Sequence, residues 1–415
     1  MYSLGAVLRE KGHTIKIIDP MLHRTKFYES SIEDILSQIC HDFEIIAFSV
    51  NTFSWSYTRT YIESLNQIGY KGHIVVGGVH ATREYTEIFR NTNIDFVLLG
   101  EGEVSFPLLL DAIEHHSEYE SVPNLVYKNG NKLNITRLAS LINLDDKTPL
   151  PAYDLVPTNA YEYFTFETSR GCYADCSFCS IIYKKCWRGF SPDTVISRLD
   201  KAIQLLNRNN INYKSFLFTD DCFTSDIERA KKILTLMYSN YHDFTFLIEV
   251  RLKHLFDEEL INIIQKFPKI SIQVGVESGY DEGLSRIKKG ITSSDIDKCA
   301  QIVYERNLMS NVFFSFIIGM YWEKKEDVLR TARKVAMLRD KYNIICSCAW
   351  WIPFPSDEFD NLKVINNRIS SAIFNTKEWY KDSEFFFMTH PNLSKNEILE
   401  ISRMINMYSP FYLEG

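Results

Sequence analysis

Hydrophobic and polar positions change period many times along this chain. HTIKIID (13–19), FEIIAFSV (43–50), HIVVGG (73–78) and IDFVLLG (94–100) are short apolar runs that read as buried strands. Between them lie segments with apolar residues at helical spacing: 30–40, 57–69, a short one near 83–91, and 105–116. Ser30 or Ser31 is the expected N-cap of the first. Strands alternating with helices of this length predict a parallel sheet with helices on both faces. Within 122–136, two alternating runs meet at Asn129-Gly130, a hairpin signal. LDDKTPLPAYDLVP (144–157) then packs three prolines into fourteen residues and reads as an extended linker.

A second α/β series follows. Its expected strands are 163–169, 214–220, 244–250, 271–277, 311–319 and 344–352. The expected helices are 191–207, 226–238, 256–266, 293–306 and 323–338, with Ser191 capping the first and Pro192 at its first helical position. Six β-then-α units predict a partial barrel, short of the eight that close one. Residues 356–415 are polar, then aromatic, with one helix near 394–407, and read as a small cap. The expected divisions are therefore an α/β domain over 1–143, a linker over 144–157, the barrel over 158–355 and the cap over 356–415. EWY (378–380) and EFFFM (384–388) are placed to close over a substrate.

Composition narrows the function. The chain has 415 residues, 45% hydrophobic and 24% charged, enough for two or three domains with sizeable cores. A net charge of −7 leaves no basic excess for a nucleic-acid partner. No apolar run reaches the length of a membrane span. The N-terminal stretch is too charged for a signal peptide. Nine cysteines, clustered rather than paired, fit a reducing cytoplasm and metal or redox use.

Three of those cysteines, Cys172, Cys176 and Cys179, fall within ETSRGCYADCSFCS (167–180), directly after a predicted strand. A closed structural zinc site takes four ligands. Thiolates also hold iron–sulfur clusters, and three of them leave one iron of a 4Fe–4S cubane open to a substrate. Cys186 stands seven residues beyond Cys179, so a four-cysteine zinc site or a closed cluster is the competing, non-enzymatic reading.

The spacing C-x3-C-x2-C, with Phe178 before the last cysteine, resembles the radical S-adenosylmethionine superfamily. Four later stretches continue the resemblance: TDDCFTSD (219–226), EVR (249–251), GVESGYDEGLSRIKKGIT (275–292) and IPFPSDEF (352–359). FIIGMYWEKKED (316–327) stands where the family carries GxPxET, without its proline and threonine. The resemblance covers about 145–360 and implies that Cys172, Cys176 and Cys179 hold the cluster. It implies that Phe178, Thr219, Asp220, Asp221, Glu249, Arg251, Glu277 and Ser278 surround S-adenosylmethionine. Asp220 and Asp221 would face its ammonium, Arg251 its carboxylate, and Glu249 and Ser278 its ribose, while Glu277 shapes the pocket. Plainer roles compete: Asp220 and Asp221 as helix caps, Glu277 as a structural partner of a lysine or arginine, and Cys346 and Cys348 as core residues.

Residues 1–119 resemble the cobalamin-binding domain that precedes the barrel in one branch of this superfamily. LREKGHTIKIID (8–19), FSVNT (48–52), VVGGVHAT (75–82) and LLGEGEVSF (98–106) carry the resemblance, followed by LDDKTPLPAYDL (144–155). It implies a Rossmann-like sheet whose loops hold cobalamin through Ser49, Val50, Asn51, Thr52, Gly77, Gly78, His80, Gly100 and Glu101. The cobalt-ligating pattern D-x-H-x-x-G is absent, and the sequence starts after the strand that usually opens the domain. Gly77-Gly78 also reads as a plain tight turn, and His80 as a solvated loop residue.

The expected fold is thus α/β throughout: the Rossmann-like sheet, a partial (β/α)6 barrel and a small C-terminal segment. The expected function is that of a cytoplasmic, cobalamin-type radical S-adenosylmethionine enzyme. A 5′-deoxyadenosyl radical would serve methyl transfer to an unactivated carbon, or instead a rearrangement, cyclisation or oxidation. Its expected partners are a small-molecule or peptide substrate and an electron donor such as flavodoxin or ferredoxin, with no nucleic acid and no membrane.

Overall fold

The computed structural model describes residues 1–19, 32–157, 161, 163–209, 211, 214–366, 369–375 and 390–406. The cap expected at Ser30 or Ser31 and the aromatic segments at 378–380 and 384–388 lie outside them. The chain divides into two compact units. One comprises the described residues of Met1–Ala160, Gln204–Ile211 and Asn367–Lys381, the other those of Tyr161–Ile203, Asn212–Asn366 and Asp382–Gly415.

The first unit is a five-stranded sheet in the order β1 (Ile45–Ser49), β2 (His73–Gly77), β3 (Phe96–Leu98), β4 (Leu125–Asn129) and β5 (Lys132–Ile135). β1, β2 and β3 run parallel, as helical crossovers require. The hairpin joins that sheet antiparallel, closing on Asn129 opposite Lys132, so the sheet is mixed. Helix Gly102–Glu114 lays Phe106, Leu109 and Leu110 on Val75, Phe96, Leu98 and Leu125. The expected strand over 13–19 is not one. Its alternation is real, and Ile15 and Ile17 pack on Gly5 of helix Tyr2–Glu10. Among the described residues, however, no strand pairs with it. Residues 144–157 form a helical turn and a 3-10 turn that bury Leu144, Ala152 and Tyr153.

The second unit holds six parallel strands in the order β6 (Phe164–Phe166), β9 (Ser215–Phe218), β10 (Thr245–Arg251), β11 (Ile270–Glu277), β12 (Val312–Ile318) and β13 (Ile345–Trp350). Two short strands, β7 (Ser169–Arg170) and β8 (Arg188–Gly189), form a separate antiparallel pair. Burial alternates strictly along the long strands. Phe216, Phe218, Phe246, Ile248, Ile272, Val274, Phe314 and Phe316 form the packed face. Leu217, Glu249, Arg251, Gln273, Glu277 and Ser315 lie on the opposite face. Cys346 and Cys348 are on the packed face, and burial pushes both thiols up to about 12, the state of inert core residues. Pro192 opens helix Pro192–Arg208, and Ser191 Oγ accepts from Thr194 N. Helix Asp357–Ile365, which the hydrophobic pattern did not suggest, is capped by Ser356, whose Oγ accepts from Phe359 N. The helix expected near 394–407 is Lys395–Asn406.

Candidate active site

The three-cysteine loop runs from Gly171 to Trp187 and is pinched at its root by the β7–β8 ladder. Inside it, Cys172 N donates to Tyr183 O, Lys185 N to Ala174 O and Cys179 N to Cys176 O. Gly171 makes the entry turn at φ +79°, and a Cβ there would sit 2.2 Å from Cys186 O, so only glycine fits. Cys172 and Cys176 are buried and Cys179 is half-buried, and burial pushes the Cys179 thiol up to about 11. Donors point at the sulfurs: Ala174 N at Cys172 Sγ (3.5 Å) and Arg251 Nη1 at Cys176 Sγ (3.5 Å). Among the described residues, no three His, Cys, Asp or Glu side chains converge on one metal-sized point. A cubane gives each thiolate its own iron and does not require such convergence.

The sequence pattern did not single out Cys222. It is buried, its Sγ lies 3.8 Å from Thr224 Oγ1, and its thiol is the neighbour that chiefly raises the Cys172 thiol. Nothing in its spacing marks it, because β9 and its turn bring it to the loop.

Asp220 and Asp221 part company. Asp220 is 2% exposed and accepts from Thr168 N (2.7 Å), Ser169 N (3.0 Å) and Thr168 Oγ1. It anchors the root of the thiol loop, with Arg229 beside it donating to Phe190 O. Asp221 is the exposed member of the pair. One of its oxygens accepts from Gly171 N (3.0 Å), and its surroundings raise its pKa through desolvation. Neither is the N-cap of the following helix, a role taken by Asp226.

On β10 and β11, Glu249, Arg251 and Glu277 share the open face with Asp221's neighbours Leu217 and Thr219. Burial, then Glu277 and Asp221, push Glu249 up to about 7. Glu277 sits at φ +74° where the β11–β12 register slips, and its Oε1 meets Lys289 Nζ at 2.9 Å. The structural pairing anticipated for Glu277 is therefore present, with Lys289 as the partner. Ser278 is buried, and its Oγ has no hydrogen-bond partner among the described residues. Phe178 is half-buried in the loop, and Thr219 is exposed at the end of β9.

In the first unit, the loops after β1, β2 and β3 are tied to one another. Val50 N donates to Gly77 O, His80 N to Val50 O, and Gly100 N to Thr82 Oγ1. Gly78 has φ +99°, and a Cβ there would lie 2.5 Å from Val50 O. Ser49, Asn51, Gly77, Gly78, Gly100 and Glu101 keep some exposure, while Val50, Thr52 and His80 turn inward. His80 is not the solvated loop residue expected. It is 2% exposed, stacked on Trp55 and edge-on to Phe374, with Nδ1 3.2 Å from Thr52 Oγ1. Burial lowers its pKa to about 3.

Residues 1–110 match the family model of the B12 binding domain, and residues 166–335 that of the radical SAM superfamily. The chain thus carries a B12-binding domain followed by a radical SAM domain. An uncharacterized methyltransferase of Pyrococcus horikoshii is 28% identical over 372 residues, which is 88% of this chain and 78% of that one. A second, from Synechocystis sp., is 26% identical over 66% of this chain and 49% of its own length. TsrM from Kitasatospora setae, a radical S-adenosylmethionine methyltransferase, shares the fold with a TM-score of 0.70 at 15% identity, covering 88% of this chain and 72% of TsrM. OxsB, a cobalamin-dependent S-adenosylmethionine radical enzyme, shares it with a TM-score of 0.68 at 19% identity, covering 88% of this chain and 52% of OxsB. The chain thus spans about half the length of OxsB and of the Synechocystis relative.

The cofactors of this radical SAM enzyme are a 4Fe–4S cluster, S-adenosylmethionine and cobalamin. The residues present fit the first two. N–H donors face the cysteine sulfurs, as charged thiolate ligands require. Carboxylates and cations are both at hand for a zwitterionic amino acid, and Ser278 offers a buried hydroxyl. The first unit fits a corrin that rests on backbone and glycine. It does not offer His80 as a cobalt ligand, because that imidazole is packed inside.

Proposed function

We propose that this enzyme transfers a methyl group from S-adenosylmethionine to an unactivated carbon of a small molecule or peptide. The observation that carries the reading is the co-occurrence of two features. One is the thiol loop with Arg251 and the carboxylate face beside it; the other is a B12-binding domain, in a chain similar over most of its length to a methyltransferase-named relative. When bound, the cluster supplies the electron that splits the sulfonium bond, and the corrin supplies a methyl carrier.

The chain's own residues do the rest. Cys172, Cys176 and Cys179 hold the cluster. Asp221 attracts the ammonium and Arg251 the carboxylate, each a charge-assisted contact. Glu249 and Ser278 take the ribose, Glu277 with Lys289 shapes the pocket wall, and Phe178 and Thr219 complete it. Asp220 acts indirectly, by fixing the loop. In the first unit, Ser49, Val50, Asn51, Thr52, Gly77, Gly78, Gly100 and Glu101 support the corrin, with His80 as a packed strut beneath. Radical SAM enzymes need a reductant, for which a flavodoxin or ferredoxin is suited. All nine cysteines are free thiols, which supports a reducing cytoplasm. Among the described residues, no helix is long and apolar enough to cross a membrane.

The test is product analysis with anaerobically reconstituted protein, with and without cobalamin. Methyl transfer gives S-adenosylhomocysteine together with 5′-deoxyadenosine, only when cobalamin is present. 5′-Deoxyadenosine without S-adenosylhomocysteine would replace methyl transfer by a rearrangement, cyclisation or oxidation.

A further inference from the structure

We propose that Tyr173 and His254 are positioning residues that hold the Arg251 guanidinium in the orientation that receives the carboxylate of S-adenosylmethionine. The proposal rests on the reading of Arg251 as that carboxylate's partner and of the three loop cysteines as cluster ligands.

The observation is a chain of contacts joining three separate loops. Thr224, fully buried after β9, places Oγ1 2.6 Å from His254 Nδ1. His254, in the 3-10 turn Leu252–Phe256 after β10, places Nε2 2.9 Å from the Tyr173 hydroxyl. Tyr173 follows the first loop cysteine, and the guanidinium carbon of Arg251 lies 5.5 Å from its ring centroid. Arg251 then reaches Cys176 Sγ through Nη1 and Lys289 O through Nη2.

Each link has a physical reason. An arginine side chain has many rotamers, and immobilising them on binding would consume affinity. A guanidinium laid over an aromatic face, with two N–H groups already engaged, is immobilised beforehand. The Tyr173 ring cannot do this alone, because the residue is 46% exposed and its ring would swing. Its hydroxyl is the handle, and His254 grips it. The imidazole suits the task because it is neutral. Burial, and then the charge of Arg251, lower it to about 4. A neutral imidazole offers one donor and one acceptor, which the two hydroxyls use up. A lysine or arginine at 254 would instead push Arg251 away.

The test uses the full chain with its cluster reconstituted anaerobically, comparing wild type, Tyr173→Phe, His254→Ala, the double variant and His254→Gln. Iron and sulfide per chain, the dissociation constant of S-adenosylmethionine from its perturbation of the reduced cluster's EPR signal, and kcat and KM for its cleavage are measured. Iron content is expected to be unchanged. Tyr173→Phe and His254→Ala should each raise the dissociation constant and KM about tenfold, the worth of one hydrogen bond to a charged-site scaffold, with kcat within about twofold. The double variant should lose no more than either single one, and His254→Gln should recover part of the loss. Wild-type affinity in Tyr173→Phe, or losses that multiply in the double variant, overturn the proposal. A wild-type cluster whose EPR signal ignores S-adenosylmethionine overturns the parent reading as well, which separates the two failures.

Discussion

Asp220 is the keystone of the thiol loop, and its substitution gives a graded prediction. Its Oδ1 accepts from two backbone N–H groups, Thr168 and Ser169, and its Oδ2 from the Thr168 hydroxyl. Asp220→Ala removes both acceptor oxygens, and with them all three hydrogen bonds, in a site with 2% exposure. Two buried amides lose their partner at roughly 1–3 kcal/mol each, so the total is about 4 kcal/mol. Asp220→Asn is different. Its amide oxygen can keep both backbone bonds, and its NH2 can donate to Thr168 Oγ1, which turns from donor to acceptor. What is lost is the charge assistance and the attraction to Arg229, about 1 kcal/mol. A two-unit chain need not unfold in one step, so the local assay is amide hydrogen exchange across 164–190 in the cluster-free protein. Exchange at Thr168 and Ser169 should accelerate about a thousandfold in Asp220→Ala and less than about tenfold in Asp220→Asn. Iron retention after reconstitution should fall in the same order. Equal protection in the two variants would refute the assignment of Asp220 to the loop root. So would Asp220→Ala exchange at the wild-type rate.

Further outcomes follow from other sites. Single alanine substitutions of Cys172, Cys176 or Cys179 should abolish the reducible cluster and 5′-deoxyadenosine formation, while Cys186→Ala retains both by iron analysis and product assay. Gly171→Ala, at φ +79° with its Cβ 2.2 Å from Cys186 O, should lose iron binding while far-ultraviolet circular dichroism stays unchanged. Glu323, 2% exposed, accepts from Tyr280 Oη and Met320 N, and burial raises its pKa from 4.5 to about 7. Below about pH 4.5 it is protonated in both the folded and unfolded states; above that only the unfolded chain ionises readily. Stability therefore falls as pH rises to about 7, by up to about 3 kcal/mol, and urea titrations at pH 5 and pH 8 should show that difference shrink in Glu323→Gln. His80→Gln should leave the visible spectrum of cobalamin-loaded protein unchanged, since the imidazole is packed against Trp55 and Phe374.

Much of the fold is legible because parallel strands write themselves twice, in composition and in parity. β11 reads ISIQVGVE and alternates buried and half-buried residues throughout. Segment 13–19 shows the limit of such reading. Ile15 and Ile17 alternate as a strand does and pack as expected, but strand identity belongs to a pair, and pairing is not written in one segment. Helix Asp357–Ile365 is not legible in the pattern, because its polar sequence carries little amphipathic signal. Its start is set by Ser356, a cap whose meaning depends on where the preceding strand ends.

The site divides along the same line. The loop cysteines are legible because one short segment carries them all. Asp220 and Asp221 are adjacent in sequence and differ in burial, and strand period already contains the reason. Continuing β9, Asp220 has the parity of Phe216 and Phe218 and turns into the packed face; Asp221 has the parity of Leu217 and Thr219 and turns outward. Cys222, Thr224 and His254 were beyond any such rule. They reach the loop from the ends of β9 and β10, and only the parallel register of those strands makes them neighbours of Cys172 and Tyr173. In this barrel the proposed cluster ligands are local, whereas the groups packed around them are assembled by topology.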